Sequence, residues 1–340
     1  MNTVKFFSYI FLFFLITTLP ASAQPLTISV TTLNSSNGLS QNSIQCILKD
    51  KYGFMWFGTQ DGLNKYDGFK FTVYKHVSSN PYSLPANLVN TICEDARGNI
   101  WVGTRLGGLS KYDRVNDRFI NLSHDKSNAR SITANSINVI YSDKSGNLWV
   151  GTEAGLNLYN KKTGGFKRFY NIKGDTTSLS SSYIFSLFED SKHNFWVGTA
   201  SGLDLLNREN GKFSKIKDAK TIKKGPNHKI LSMVEDARKN LWIGTSRGLN
   251  VLNNDHTFTY YPTDTDKNSG AGLNPLNCLV RSKGNKFWIG SNTTLQLFDA
   301  DKRRLIPVTD KTDGESQLPN DGIYAILEDN DGIVWIGTTS

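Results

Sequence analysis

All seven tryptophans of the chain stand in one setting: Trp56, Trp101, Trp149, Trp196, Trp242, Trp288 and Trp335 are each followed by Phe, Val or Ile, then Gly, then Thr or Ser. Successive tryptophans are separated by 45, 48, 47, 46, 46 and 47 residues. A supersecondary unit recurring at such a period cannot bury its apolar surface alone and does so by stacking on its neighbours, so the chain is a repeat protein.

Aligned on tryptophan, each copy carries an aliphatic residue twelve positions earlier: Ile44, Val89, Ile137, Ile184, Ile230, Leu276 and Ile323. Further apolar residues follow on both faces of the same segment, which predicts a strand buried between neighbouring sheets, the innermost of its unit. Next comes Asp50, Asp95, Asp143, Asp190, Asp236 or Asp329, with Ser282 in the sixth copy, and three residues later Gly53, Gly98, Gly146 or Gly332 completes a turn. Such a carboxylate can accept backbone N–H bonds while glycine takes the positive φ. In the fourth and fifth copies Asn194 and Asn240 stand beside the replaced glycine as residues tolerant of that conformation. Trp-x-Gly-Thr predicts the second strand, the Gly-Leu segment after it the third, and segments such as Phe258 to Tyr261 the fourth. The expected fold is therefore all-β: a β-propeller of four-stranded antiparallel blades, about seven of them, the last incomplete. Residues 26–43 are expected to form a closing strand, over Thr27 to Leu33, and a linker. The seventh repeat stops before its Gly-Leu strand, from which a fragment of a longer protein is expected.

Residues 1–23 differ in kind, with Lys5, an uncharged and mostly apolar run from Phe6 to Leu19, and Ala21-Ser22-Ala23. This is the pattern of a secretory signal peptide cut before Gln24, leaving 24–340 as the propeller. The run is short of the ~20 residues of a spanning helix. The formal charge of +9 would suggest nucleic acid inside a cell, but an exported chain meets glycans and cell-wall polymers instead, so no nucleic-acid partner is expected. Cys46, Cys93 and Cys278 lie in apolar runs and are expected to be small buried side chains, with one disulfide left open.

The combined pattern, with Asn37-Gly38-Leu39-Ser40-Gln41-Asn42-Ser43-Ile44 running into Gly53-Phe54-Met55-Trp56-Phe57-Gly58-Thr59-Gln60-Asp61-Gly62-Leu63, resembles the two-component regulator propeller repeat, over residues 26 to 340. The resemblance implies the periplasmic sensor region of a Bacteroides-type hybrid two-component histidine kinase. Such parents typically carry two propellers, a small β-sandwich, one inner-membrane helix, a kinase, a receiver and often a DNA-binding domain, and work by phosphorelay. It also implies detection of polysaccharide-derived oligosaccharides, docking to adjacent sensor domains, and a homodimer through the parent.

The residues themselves offer no catalytic constellation, and no cofactor is expected. A carboxylate repeated in six copies at one turn reads as structural, and Asp329-Asn330-Asp331-Gly332 lacks the distal acid of a calcium loop, so no metal is expected. His76, His124, His193, His228 and His256 show no ligand spacing and read as surface residues. The tryptophans read as packing between blades. Recognition is expected on the variable loops between second and third strands, where Asp61, Arg105, Glu153 and Arg247 are the candidate contacts for ligand or partner. A glycan-cleaving propeller enzyme and a pure protein-interaction scaffold remain alternatives, because fold alone does not choose among them.

Overall fold

The computed structural model describes residues 26–216, 228–261, 276–306, 308–310 and 321–339. The expected signal peptide lies outside them. Six four-stranded antiparallel sheets follow one another along the chain, each with its strands in sequence order, at 44–74, 89–122, 137–169, 184–215, 230–261 and 276–306. These are blades one to six. A seventh unit has two strands among the described residues, Ile323–Glu328 and Val334–Thr338. The strand Ile323–Glu328 lies against the inner strands of both the sixth and the first blade, which closes the ring.

No single core fills the centre. Seven apolar clusters lie instead at the seven seams between successive units. The repeat residues build them directly. Six of the seven tryptophans are buried, and their rings meet the next blade: Trp56 packs on Tyr112 at 5.2 Å, Trp149 on Phe195 at 4.8 Å, and Trp242 on Phe298 at 5.0 Å. Trp335 is half-buried and meets Phe57 of the first blade at 5.8 Å. The glycine of Trp-x-Gly-Thr is required by the same seam. A Cβ at Gly151 would stand 2.6 Å from Ile184 Cγ2 of the following blade, and one at Gly337 would stand 2.6 Å from Ile44 Cγ2, the same contact across the closing seam.

The turn aspartate has a second task that its spacing did not disclose. Besides accepting backbone N–H bonds through Oδ1, Asp50 takes the indole N–H of Trp56 on Oδ2 at 2.8 Å, and Asp95, Asp143, Asp190 and Asp236 repeat the bond at 2.9 Å. The sixth blade has Ser282 at that position, and there Glu328 of the next unit accepts from Trp288 at 2.8 Å. Where glycine is replaced, the substitutes themselves take the left-handed conformation, His193 at φ 64°, Lys239 at φ 68° and Asn285 at φ 53°. The neighbouring asparagines do not. Asn194 and Asn240 donate their amides to the turn aspartates, at 2.8 and 2.9 Å.

The amino-terminal strand is shorter than expected, Leu26–Ile28, and pairs in parallel with Val308–Asp310, beyond the outer strand of the sixth blade, and not with Val334–Thr338. Leu39, further along the same segment, is buried in the closing seam. The three cysteines are free, so the open disulfide is absent, and burial pushes each thiol up to about 12.

Candidate functional site at the channel mouth

Each inner strand begins by pairing with the threonine or serine of the Trp-x-Gly-Thr strand, as Ile44 does with Thr59, and then slips by one residue before Cys46 pairs with Gly58. The same irregularity recurs in all seven units. A β-bulge leaves one residue out of the ladder and redirects its side chain. The residues so released are Gln45, Asn90, Asn138, Phe185, Leu231, Asn277 and Tyr324, and together they line a cavity of about 290 Å³ where the inner strands converge. Every unit of the ring contributes one side chain to it.

The bulges would leave carbonyl groups unpaired, and the chain supplies donors for them. Asn90 Nδ2 donates to Ile137 O of the next blade at 2.8 Å, Asn138 Nδ2 to Ile184 O at 2.9 Å, and Asn277 Nδ2 to Ile323 O at 3.1 Å. In the fourth blade the channel residue is Phe185, and Ser186 Oγ takes over that duty by donating to Ile230 O at 2.8 Å. The Phe185 ring stacks on Tyr183, centroids 4.7 Å apart, and the Lys229 ammonium lies 5.5 Å from its centroid.

The loops that carry the four candidate contacts share this mouth. Their backbones bond to the linkers that enter the inner strands: Gly62 N donates to Asn87 O of the linker into the following blade, while Arg105 N, Glu153 N and Ser246 N donate to Leu88 O, Ser136 O and Lys229 O of the linkers into their own blades. The loop itself is set by the repeat threonine, whose hydroxyl donates to the glycine carbonyl, from Thr59 to Gly62 at 2.9 Å and from Thr152 to Gly155 at 3.1 Å. Arg105, Glu153 and Arg247 are exposed there. Leu106, beside Arg105, is 74% exposed and held at φ 74°. Arg247 lies close enough to His228 that burial first, and the arginine charge second, hold the imidazole below its ordinary value. Asp61 is engaged: Lys75 Nζ lies 2.5 Å from its Oδ2 and Asn87 Nδ2 donates to its Oδ1 at 2.9 Å. It braces loop to linker, with less capacity left for a ligand than the other three.

The seven bulge residues were missed in the sequence because the repeat was aligned on what persists. Eleven positions before each tryptophan the inner strand holds Gln, Asn, Asn, Phe, Leu, Asn and Tyr in turn, directly after its constant aliphatic residue. That local variability was the available signal. The histidines expected on the surface include two with linker roles: His76 and His124 donate Nδ1–H to the carbonyls of Leu84 at 2.8 Å and Ile132 at 2.7 Å. Among the described residues no group of three or more His, Cys, Asp and Glu could hold a metal ion. A larger hollow of about 410 Å³ lies away from the channel, between Asn121, Arg130 and Phe166, and gathers one charged side chain.

Comparison with known proteins agrees with the repeat. A family model described as two component regulator propeller matches residues 38–61, 83–105, 131–154, 178–201, 224–247 and 317–340. A histidine kinase P4 of Formosa agariphila is 52% identical over 40 residues, which is 12% of this chain and 3% of that protein. The extracellular domain of a hybrid two component system from B. thetaiotaomicron is 26% identical and superposes with a TM-score of 0.76 over 91% of this chain and 40% of its own. That of a one component system from the same organism is 20% identical, with a TM-score of 0.71 over 94% of this chain and 38% of its own. A streptogramin B lyase shares the fold at 12% identity and a TM-score of 0.63, covering 89% of this chain and 92% of its own. The chain thus spans less than half the length of the extracellular domains it resembles. It is a two component regulator propeller domain, homologous to the extracellular domains of Bacteroides two component systems.

Proposed function

We propose that this propeller is the sensory domain of a hybrid two-component signalling protein, acting in the periplasm by recognition at the channel mouth. The observation that carries the reading is the set of seven bulges, each turning one side chain out of the ladder into a common cavity beneath exposed, variable loops. A scaffold under packing constraint alone gains nothing from varying these seven positions among five residue types. Higher structural similarity to the extracellular domains, TM-scores of 0.76 and 0.71 against 0.63 for the lyase, favours recognition over catalysis. The ligand class that suits a periplasmic sensor of this kind is a polysaccharide-derived oligosaccharide. Arg105, Glu153 and Arg247 are its rim contacts, and Asp61 supports the loop next to them.

A second reading, docking of an adjacent sensor domain of the parent or of its dimer partner, is favoured by exposed Leu106 on the same rim. Titration calorimetry separates the two. The intact chain should bind members of a glycan panel, and an Arg105→Ala, Arg247→Ala double variant of equal melting temperature should bind more weakly. Absence of binding to every glycan would leave the docking role.

Two structural proposals accompany this reading. The unit Ile323–Thr338 serves as the seventh blade, as its seams with the sixth and first blades support, and the segment ahead of the first blade contributes to its closing seam through Leu39. Residues 1–23 serve as a cleaved export signal, and intact-mass analysis of the exported protein should show Gln24 as the first residue; retention of Met1 would reject that.

A further inference from the structure

The channel cavity is chemically uneven around its ring. Blades one to three present the carboxamides of Gln45, Asn90 and Asn138, while blades four and five present Phe185 and Leu231, with Tyr324 on the seventh unit and the amide of Asn277 between. None of these side chains carries a charge at neutral pH, although the chain as a whole has a formal charge of +9. Ligand sites typically combine apolar and aromatic walls with a few polar groups that fix orientation. At about 290 Å³ the cavity lies just below the ~300–1,000 Å³ usual for small-molecule sites, a size that suits one ring.

The aromatic side is a built feature. Stacking on Tyr183 fixes the plane of Phe185, and Ser186 has assumed the carbonyl-capping task that asparagine performs in blades two, three and six, which frees the position for a ring. Tyr183 and Tyr324 are 38% and 40% exposed. On the amide side the capping bond uses one N–H of Asn90 and of Asn138, so each carboxamide retains an N–H and an acceptor oxygen. Paired donors and acceptors facing an aromatic wall match a ring with C–H groups on its face and hydroxyls on its rim.

We propose that the channel mouth seats one uncharged, hydroxyl-rich ring, the terminal sugar unit of a neutral oligosaccharide, against the Tyr183–Phe185 pair and Tyr324, with its hydroxyls bonded to the carboxamides of Gln45, Asn90 and Asn138. The rest of the oligosaccharide leaves toward the rim of Arg105, Glu153 and Arg247. This rests on the reading of the mouth as a recognition site and specifies what enters it.

The test is calorimetric titration of the intact chain with neutral oligosaccharides (gluco-, xylo- and manno-series) and with oligogalacturonates and sulfated oligosaccharides. The proposal expects a neutral series to bind, with affinity reduced at least tenfold by Phe185→Ala and by Tyr324→Ala. Tyr324→Ala, at a part-exposed position, should keep the wild-type melting temperature and so covers a folding defect in Phe185→Ala. Neutral binding unchanged in both variants would overturn the proposal. Binding of acidic glycans alone, lost in the Arg105→Ala, Arg247→Ala or Lys229→Ala variants, would overturn it while leaving recognition at the mouth intact. Failure of every glycan to bind would overturn both.

Discussion

At the scale of single residues, the repeat is held by one pairing: a buried indole whose N–H is accepted by a carboxylate six residues earlier. The aspartates of the first two blades show how the charge is kept. Burial pushes the Asp50 carboxyl up, but the Trp56 indole N–H, the Arg114 guanidinium at 2.8 Å and the Tyr52 backbone N–H outweigh it and hold the group below its ordinary range. Burial likewise opposes ionisation of Asp95, and bonds from Trp101 and Asn99 reverse it. Depressed folded values mean stability that is present above the unfolded pKa, ~3.9 for aspartate, and lost as pH falls through the folded values. The tryptophan itself supplies more. Trp149→Ala should cost roughly 3–5 kcal/mol through lost burial and a cavity. Trp149→Phe, which keeps most of the ring but removes one donor to Asp143, should still cost about 1–3 kcal/mol for the hydrogen bond lost to a charged acceptor, although Asn147 and Arg208 continue to donate to the same oxygen. Chemical denaturation of both variants checks this, and a Trp149→Phe variant as stable as wild type would show that the indole bond adds nothing.

At the scale of the blade, one position of the third strand ties the sheet to the linker before it. Asn64 accepts from Ser40 N at 2.9 Å and donates to Ser40 Oγ at 2.8 Å, and Asn157 binds Thr133 in the same two ways, at 3.0 and 2.8 Å. The fourth blade has Asp204 there, fully buried, accepting from Ser180 N at 2.7 Å and from the Ser180 hydroxyl. Burial is the main influence on its carboxyl and raises it above the ordinary value despite those donors. A raised folded value gives stability that is present below the unfolded pKa and lost as pH rises through the folded one. Asp204→Asn, which reproduces the bonding of blades one and three, should therefore raise the melting temperature at neutral pH. The gain should shrink as the pH is lowered to where Asp204 is protonated. A variant less stable than wild type at pH 7 would mean that the Ser180 hydroxyl cannot reverse its role.

At the scale of the whole ring, the seams are not equal. Three of them are latched by a glutamate of one blade accepting a backbone N–H of the preceding one: Glu94 from Lys51 at 3.0 Å, Glu189 from Lys144 at 2.7 Å and Glu235 from Ser191 at 3.1 Å. The first blade carries Lys49 at the equivalent place, so the closing seam is joined by Lys49 to Asp329 at 3.2 Å and to Asp331 at 3.5 Å, beside the cluster of Leu39, Ile44, Met55 and Phe57. Lys49 is partly exposed, so its ion pairs are screened by salt, whereas a glutamate bonded to backbone is less sensitive. The ring should open first at this seam. Phe57→Ala should cost roughly 3–5 kcal/mol, and hydrogen exchange should accelerate in Ile44–Lys49 and Ile323–Glu328 ahead of the other inner strands, more so in high salt. Uniform exchange around the ring would contradict a weak closing seam.

The four-stranded antiparallel blade, its strand order and the packing role of tryptophan were legible because each depends on residues that recur: a seam repeated around a ring imposes the same indole, the same close-approach glycine and the same aliphatic partner every time. The acceptor of the indole N–H was not legible in the spacing: only the folded hairpin shows that six residues bring Asp143 Oδ2 to 2.9 Å from Trp149 Nε1. The amino-terminal strand was placed by its β-rich composition, and composition does not say which edge it joins; the parallel pairing with Val308–Asp310 is a matter of where two distant segments meet. The same holds for the site. Sequence periodicity locates the variable loops of Arg105, Glu153 and Arg247, since loops are free to vary on a fixed scaffold. It does not reveal that a one-residue slip in each inner strand turns Gln45, Asn90, Phe185 and Tyr324 toward a common centre. A bulge has no composition of its own, and residues from seven repeats become neighbours only when the ring closes.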